Sequence, residues 1–461
     1  MNNPAHTAGS SHATTFGEHV RATLVLGLPL VAAQITQMLV GVTDTIMLGW
    51  LGTKELAAGT LAFQAFFIFL IFGLGFGAAM VPLIANALGR GDSRSVRRAT
   101  RMGLWALVGL ALLFMIPLWY TRALLIALGQ DPELSQLAQN YMRIAQWSMV
   151  PAFILIGLRS FLTGLERANM VLWITLFMAL LNGLLNYAFI FGNWGAPRLE
   201  MEGAAVATLI ANSVAAIASI IYVAQSKAAQ PYQIFLRLWR ADWGALAGVS
   251  RLGVPFSLSI FAEAGMFSAA SLMIGWLGKV PLAAHGIALQ IASLAFMIPL
   301  GLTQGGAVRV GNAAGRGDKS AIGMAGRALV VICLALSLVS AALFVVVPEF
   351  LVELFVDRAN PDAEDVIVYG VSLLYMAAAF QIFDSLQAAS GGNLRGLQDT
   401  KVPLIIATIS YWIIGMGSAY VLAFKFGFGG VGVWGGLVVG LGAASVGLTY
   451  RFARREQYNL V

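Results

Sequence analysis

The chain has 461 residues, of which 59% are hydrophobic and only 11% charged, with a formal net charge of +7. Soluble domains carry about 25% charged residues, so this composition, with a mean hydropathy of +0.81, excludes an ordinary soluble protein and describes a polytopic membrane protein. The 28 Lys and Arg lie in short clusters between apolar runs, which is the pattern of membrane topology and not of a nucleic-acid surface.

Residues 1–16 are polar, with His6 and His12, and lack the basic-then-apolar pattern of a cleaved signal peptide. Twelve apolar runs follow, each long enough to cross about 30 Å of hydrocarbon. They are predicted at 22–48, 58–86, 102–121, 137–158, 168–191, 203–225, 252–277, 283–309, 326–347, 366–391, 402–424 and 430–450. Alternation of the kind a barrel needs is absent, so the spans are helices. Counting Lys and Arg by loop puts 21 on the side of both termini and 7 on the other. The bias supports the span count and predicts cytoplasmic termini. The lone cysteine, Cys333, sits in an apolar run and reads as a buried, inert thiol.

The two halves of the chain repeat. At an offset of 226, Gly27-Leu-Pro29 meets Gly253-Val-Pro255, Gly49-Trp-Leu-Gly52 meets Gly275-Trp-Leu-Gly278, and Gly89-Arg-Gly-Asp92 meets Gly315-Arg-Gly-Asp318. Without a gap, 20 of the 66 positions from Gly27 to Asp92 are identical, which shared apolar composition cannot produce. Each repeat holds six spans, an even number, so both halves enter from the same side and their symmetry axis runs along the membrane normal. The expected division is a cytoplasmic tail 1–20, an N-lobe 21–225, a cytoplasmic linker with a short interfacial helix 226–249, a C-lobe 250–452 and a tail 453–461. Two parallel six-helix bundles around a cavity form a transporter architecture.

Three acidic residues fall inside spans: Asp44, Glu263 and Asp384, with no Lys or Arg expected at comparable depth. An ionised, unpaired carboxylate there costs several kcal/mol, so each must be protonated or must balance a cation. These are the candidates for coupling an ion and for holding a cationic substrate; a protonated carboxyl bonded to a neighbouring helix is the alternative. They break the repeat: Asp44 aligns with Ala270, Glu263 with Gln37 and, at an offset of 232, Asp384 with Ala152. Asn182 and Asn186 lie four apart on one helical face. Either they complete oxygen coordination around Asp44, as hard cations prefer, or they bond between helices.

The first span reads PLVAAQITQMLVGVTDTIMLGWLG, the loop after the second ALGRGD, the second half repeats GWLG and GNAAGRGD, and the tenth span and its loop read QIFDSLQAASGGNLRGLQDTK. Over about 20–452 this resembles the multidrug and toxic compound extrusion (MATE) family, particularly its bacterial NorM-like branch. The resemblance implies twelve helices in two pseudo-symmetric lobes forming a V with a central cavity, exporting organic cations and amphipathic drugs in exchange for Na+ or H+. It implies that Asp44 is the N-lobe aspartate with Asn182 and Asn186 as its polar pair, and that Glu263 and Asp384 form the C-lobe cation site, a candidate for Na+. Phe380 stands where a tyrosine is familiar, which loosens the link to sodium. Gln37 and Phe380 join Asp44, Glu263 and Asp384 as candidate substrate contacts.

Gly73-Leu-Gly75-Phe-Gly77 lies inside an apolar helix and is packing glycine, and no GxxxxGK[ST] occurs, so the chain is not expected to be an ATPase or any other enzyme. Trp50 and Trp276 read as interface anchors. Met38, Met47, Met266, Phe63, Phe66 and Phe67 are candidates either for a plastic drug cavity or for core and lipid contact. His285 reads as structural. The expected partners are small-molecule drugs and membrane lipids, with a monomeric chain and no cofactor besides the coupling ion. A lipid-linked saccharide flippase of the same superfamily would favour a basic cavity, and an ion channel would conduct without coupling.

Overall fold

The computed structural model describes residues 15–358 and 361–461; the tail before Thr15, with His6 and His12, lies outside the described residues. The described residues contain twelve helices long and apolar enough to cross a membrane. In chain order they are α1 (Phe16–Leu51), α2 (Thr53–Gly89), α3 (Ser93–Trp119), α4 (Pro132–Gly164), α5 (Ala168–Phe191) and α6 (Glu200–Gln225). The second half holds α7 (Trp243–Gly275), α8 (Lys279–Arg316), α9 (Lys319–Val346), α10 (Ala363–Gly396), α11 (Lys401–Lys425) and α12 (Gly429–Ala453). The order and number match the apolar runs, and most helices outrun them by a few residues at each end. The added N-terminal turns of α1, α3, α4, α7 and α9 are capped by side chains. Thr15 and Glu18 make a reciprocal capping box at the start of α1, and Asp92, Asp131, Asp242 and Asp318 accept from backbone N–H groups at the starts of α3, α4, α7 and α9. Capped ends let a helix leave the hydrocarbon without orphaned donors.

One hydrophobic core joins buried residues of α1 to α6, among them Met80, Leu107, Phe153 and Phe161. A second joins α7 to α12, among them Met266, Leu373, Trp434 and Leu437. The twofold relation implied by the repeat is visible atom by atom where the lobes meet. Gly89 lies against the Asn312 carbonyl and Gly315 against the Asn86 carbonyl. Gly27 lies under Leu302 and Gly253 under Phe76; Gly75 abuts Ser257 and Gly301 abuts Val31. In each of these pairings the second contact is the first with 226 added to one residue and subtracted from the other. This is an isologous contact made within one chain. Glycine is required because the helices touch backbone to backbone: a Cβ on Gly301 would stand 2.5 Å from the Val31 N and Cα.

The cross-lobe contacts lie toward the side that carries the termini, called the terminal side below. The hydrogen bonds there include Asn312 Nδ2 to Glu166 Oε1 at 3.1 Å, Arg309 with the His19 ring at 3.3 Å and, deeper, Ser257 Oγ to the Phe72 carbonyl at 3.3 Å. Both GRGD motifs form the same turn. Gly91 and Gly317 each take φ of 70°, open to glycine without strain, and the following aspartate caps the next helix.

The linker differs from expectation. Residues 226–242 form turns and one 3₁₀ turn, Gln230–Tyr232, with no interfacial helix, and 243–249 already belong to α7. Helical structure gives way because the linker's backbone is engaged sideways by α3. Arg97 Nε donates to the Tyr232 carbonyl at 2.8 Å, Arg101 Nη2 to that of Arg240 at 2.5 Å, and Trp105 Nε1 to that of Leu238 at 2.7 Å. Arg98 holds Asp242 through two bonds of 2.5 and 3.1 Å, which pushes the Asp242 carboxyl down to about 2.

Candidate functional site

In the N-lobe, Asp44 of α1 meets Asn186 of α5 directly: the amide Nδ2 donates to Asp44 Oδ1 at 2.5 Å. The same Nδ2 donates its second hydrogen to Asn182 Oδ1 at 3.2 Å, one helical turn back. Asn182 Nδ2 reaches Thr208 Oγ1 of α6 at 3.4 Å, and Thr208 bonds the Tyr141 hydroxyl of α4. Four helices are thus linked by one polar chain that ends on a carboxylate. Asn182 and Asn186 are buried, and Asn186 Oδ1 has no partner. The asparagines bond between helices, and the atom turned toward Asp44 is nitrogen. A half-turn of the Asn186 amide would present oxygen instead, the partner a protonated carboxyl or a hard cation needs. The arrangement can therefore serve a charged and a neutral Asp44 with the same residues.

In the C-lobe, Glu263 of α7 and Asp384 of α10 lie within electrostatic reach of each other. Asp384 is 2% exposed, whereas Glu263 is only partly buried. Gln381, Asp384 and Ser385 share one face of α10 at spacings of three and four. Asp384 Oδ1, Ser385 Oγ and both side-chain polar atoms of Gln381 are buried with no hydrogen-bond partner. A buried polar group left unsatisfied costs about 1–3 kcal/mol, so this face is set for a ligand that supplies the missing contacts. Three of the four atoms are oxygens, a donor set that suits a hard cation. Among the described residues no group of three His, Cys, Asp or Glu could hold a metal ion, so a cation here would rest on two carboxylates with amide and hydroxyl help.

The surroundings correct two expectations. The interior is not free of bases: the Arg395 guanidinium lies within electrostatic reach of Glu263 and stacks 4.5 Å over the Phe256 ring. In the other lobe Arg159 Nη1 donates to Gln37 Oε1 at 3.1 Å. Both arginines stand within five residues of a helix end, where counting bases by loop gives a side of the membrane and no depth. Second, Phe380 does not offer its ring to a substrate. It is 2% exposed, packed 5.9 Å from Phe267 and 5.4 Å from Trp434. A further residue belongs with the site: Tyr411, on a π-helical turn of α11, accepts from Gln387 Nε2 at 2.5 Å and interacts with Glu263, Asp384 and Arg395. Single π-turns inside α-helices recur at functional sites.

His285 is fully engaged. Trp434 Nε1 donates to Nδ1 at 3.1 Å, so Nε2 carries the proton and meets Ser271 Oγ at 2.9 Å. Its role is structural, as the sequence predicts. Met266 is core, whereas Trp50 and Trp276 are exposed at helix ends as anchors should be.

A family model described as MatE matches residues 29–188 and 255–421. The "Probable multidrug resistance protein NorM" of Rhizobium meliloti (strain 1021) is 46% identical over 436 residues, covering 95% of this chain and 93% of that protein. The protein of the same description from Agrobacterium fabrum (strain C58 / ATCC 33970) is 44% identical, covering 97% and 96%. Among solved structures, an outward-facing multidrug resistance MATE family transporter of the MOP superfamily superposes with a TM-score of 0.87 at 22% identity, over 95% of this chain and 96% of that one.

Proposed function

Because the chain belongs to the MatE family, whose members are membrane transporters and not enzymes, we propose that it is a multidrug efflux antiporter. It exports organic cations and amphipathic drugs in exchange for Na+ or H+, by alternating access, as a monomer in a bacterial inner membrane. The relatives' description as multidrug resistance proteins supports the substrate class, and the 21-to-7 split of basic residues supports a cytoplasmic terminal side. With the lobes joined on that side, this conformation is the one that releases drug outward.

The observation that carries the reading is a pair of separate acidic sites, one per lobe, each with buried polar atoms lacking a partner. A drug cation and a coupling ion cannot both be balanced by one carboxylate. Ion arrival from outside at Asp44, or at Glu263 and Asp384, therefore favours drug release, and ion loss to the cytoplasm readies the site again. The driving force suffices: about 100 mV gives roughly 2.3 kcal/mol per charge, near a fortyfold gradient at about 1.4 kcal/mol per decade. Arg395 beside Glu263 adds a basic group, the feature expected of a flippase for anionic lipid-linked sugars, but a single arginine against two carboxylates leaves the C-lobe site acidic.

The test is ethidium efflux from proteoliposomes under separately imposed sodium and pH gradients. Efflux that follows one gradient and is lost in Asp44→Asn, Glu263→Gln and Asp384→Asn supports the reading. Equal efflux with neither gradient overturns coupling, and normal efflux from all three variants overturns the site.

A further inference from the structure

Away from the acidic sites, an apolar groove of about 380 Å³ runs down the outer face of the N-lobe. Its walls come from α3, α4, α6 and the linker, with Trp105, Val108 and Leu112 on one side and Phe235 and Leu238 closing the top. Arg101, Trp105, Val108 and Leu112 follow the spacing of one helical face, so Arg101 stands at the terminal end of the same stripe. From Arg101 to Leu112 the stripe is about 16 Å long at 1.5 Å per residue, close to one leaflet, roughly half of the 30 Å hydrocarbon.

Trp105, which lines the groove, and Trp239, next to the lining residue Leu238, are exposed, and tryptophans of this kind mark the headgroup level of a membrane protein. This end of the groove is also unbalanced in charge. Arg101 has a buried Nε with no partner and lies within electrostatic reach of Arg97 and Arg240. The nearby carboxylate, Asp242, is already held by Arg98. Arg237 and Arg240 are exposed beside Leu238, which lines the groove.

We propose that this groove binds one anionic phospholipid, its acyl chain along α3 and its phosphate held by Arg237 and Arg240 at the Arg101 end of the stripe. Basic pockets between membrane helices on the cytoplasmic side recognise lipid headgroups by this chemistry. The lipid would bridge α3 and the linker that joins the lobes.

The test is native mass spectrometry of the full-length chain released from bicelles of equimolar phosphatidylglycerol and phosphatidylcholine with identical acyl chains. The wild type should retain phosphatidylglycerol in preference by roughly thirtyfold for the two exposed arginines. The double variant Arg237→Gln, Arg240→Gln, which leaves the backbone clamps intact, should bring the ratio near one. Gly109→Phe, which lines the groove and has open space at its Cβ position, should end retention of both lipids. A wild-type ratio near one, an unchanged ratio in the double variant, or full retention by Gly109→Phe would each overturn the proposal. Circular dichroism and size exclusion check folding, and Gly109→Leu with Arg240→Gln alone replaces any variant that fails.

Discussion

Gly301→Ala puts the lobe interface to a direct test. The new Cβ would stand 2.5 Å from both the N and the Cα of Val31. Backbone atoms cannot rotate away, so α1 and α8 must separate or strain. Overpacking of this kind costs typically about 1–3 kcal/mol, and the cost falls only on the state in which the lobes touch on the terminal side. At about 2 kcal/mol the equilibrium moves roughly thirtyfold away from that state. The readout is a spin-label distance between Ser93→Cys and Lys319→Cys, exposed positions related by the repeat, with Cys333→Ala removing the native thiol. The distribution should shift to longer distances and drug efflux should fall. Gly286→Ala, on the same helix with nothing within 4 Å of its Cβ position, is the control. Identical distributions for Gly301→Ala and Gly286→Ala would refute the reasoning.

Trp434→Phe removes the donor to His285 Nδ1 and should cost about 1–3 kcal/mol, seen as a lower thermal midpoint in detergent. Asp242→Asn tests the linker clamp. Its carboxyl is depressed from 3.8 to about 2 by Arg98, so its stabilisation is complete above pH 3.8 and is lost as pH falls through 2. The wild-type thermal midpoint should therefore drop between pH 4 and pH 2 more than that of Asp242→Asn; parallel curves would remove the clamp from the account. Arg395→Gln takes a positive charge away from Glu263 and should raise the apparent affinity for the coupling ion in efflux by roughly tenfold. An unchanged affinity would show that the two charges act independently.

The twelve spans were legible because lipid makes one demand, long apolar helices, and side-chain caps explain the longer starts of α1, α3, α4, α7 and α9. The repeat was legible as identities, and its meaning in space, Gly75 on Ser257 and Gly301 on Val31, needed the fold. Asp44, Glu263 and Asp384 stood out because charge is rare in such a chain. Their uncharged partners, Thr208, Tyr141, Gln381, Ser385 and Tyr411, carried no comparable signal, since a hydroxyl or amide in an apolar run is ordinary. Arg159 and Arg395 were misplaced in depth because counting bases assigns a side of the membrane and not a distance from it. Phe380 was read by the residue familiar at its position, whereas the neighbouring aromatic rings decide where its ring goes.

The pairing of Arg98 with Asp242 has a mechanical consequence. Asp242 is both the last linker residue and the cap of α7, so the first turn of the second lobe is moored to the first lobe. A helix of 33 residues is about 50 Å long. If the lobes rock by about 15°, a rotation of the size known for subunit switches, the far end of α7 sweeps roughly 13 Å while its moored end only turns. The lobes can then part or close at the side away from the termini like a pair of tongs, with the rivet at the linker.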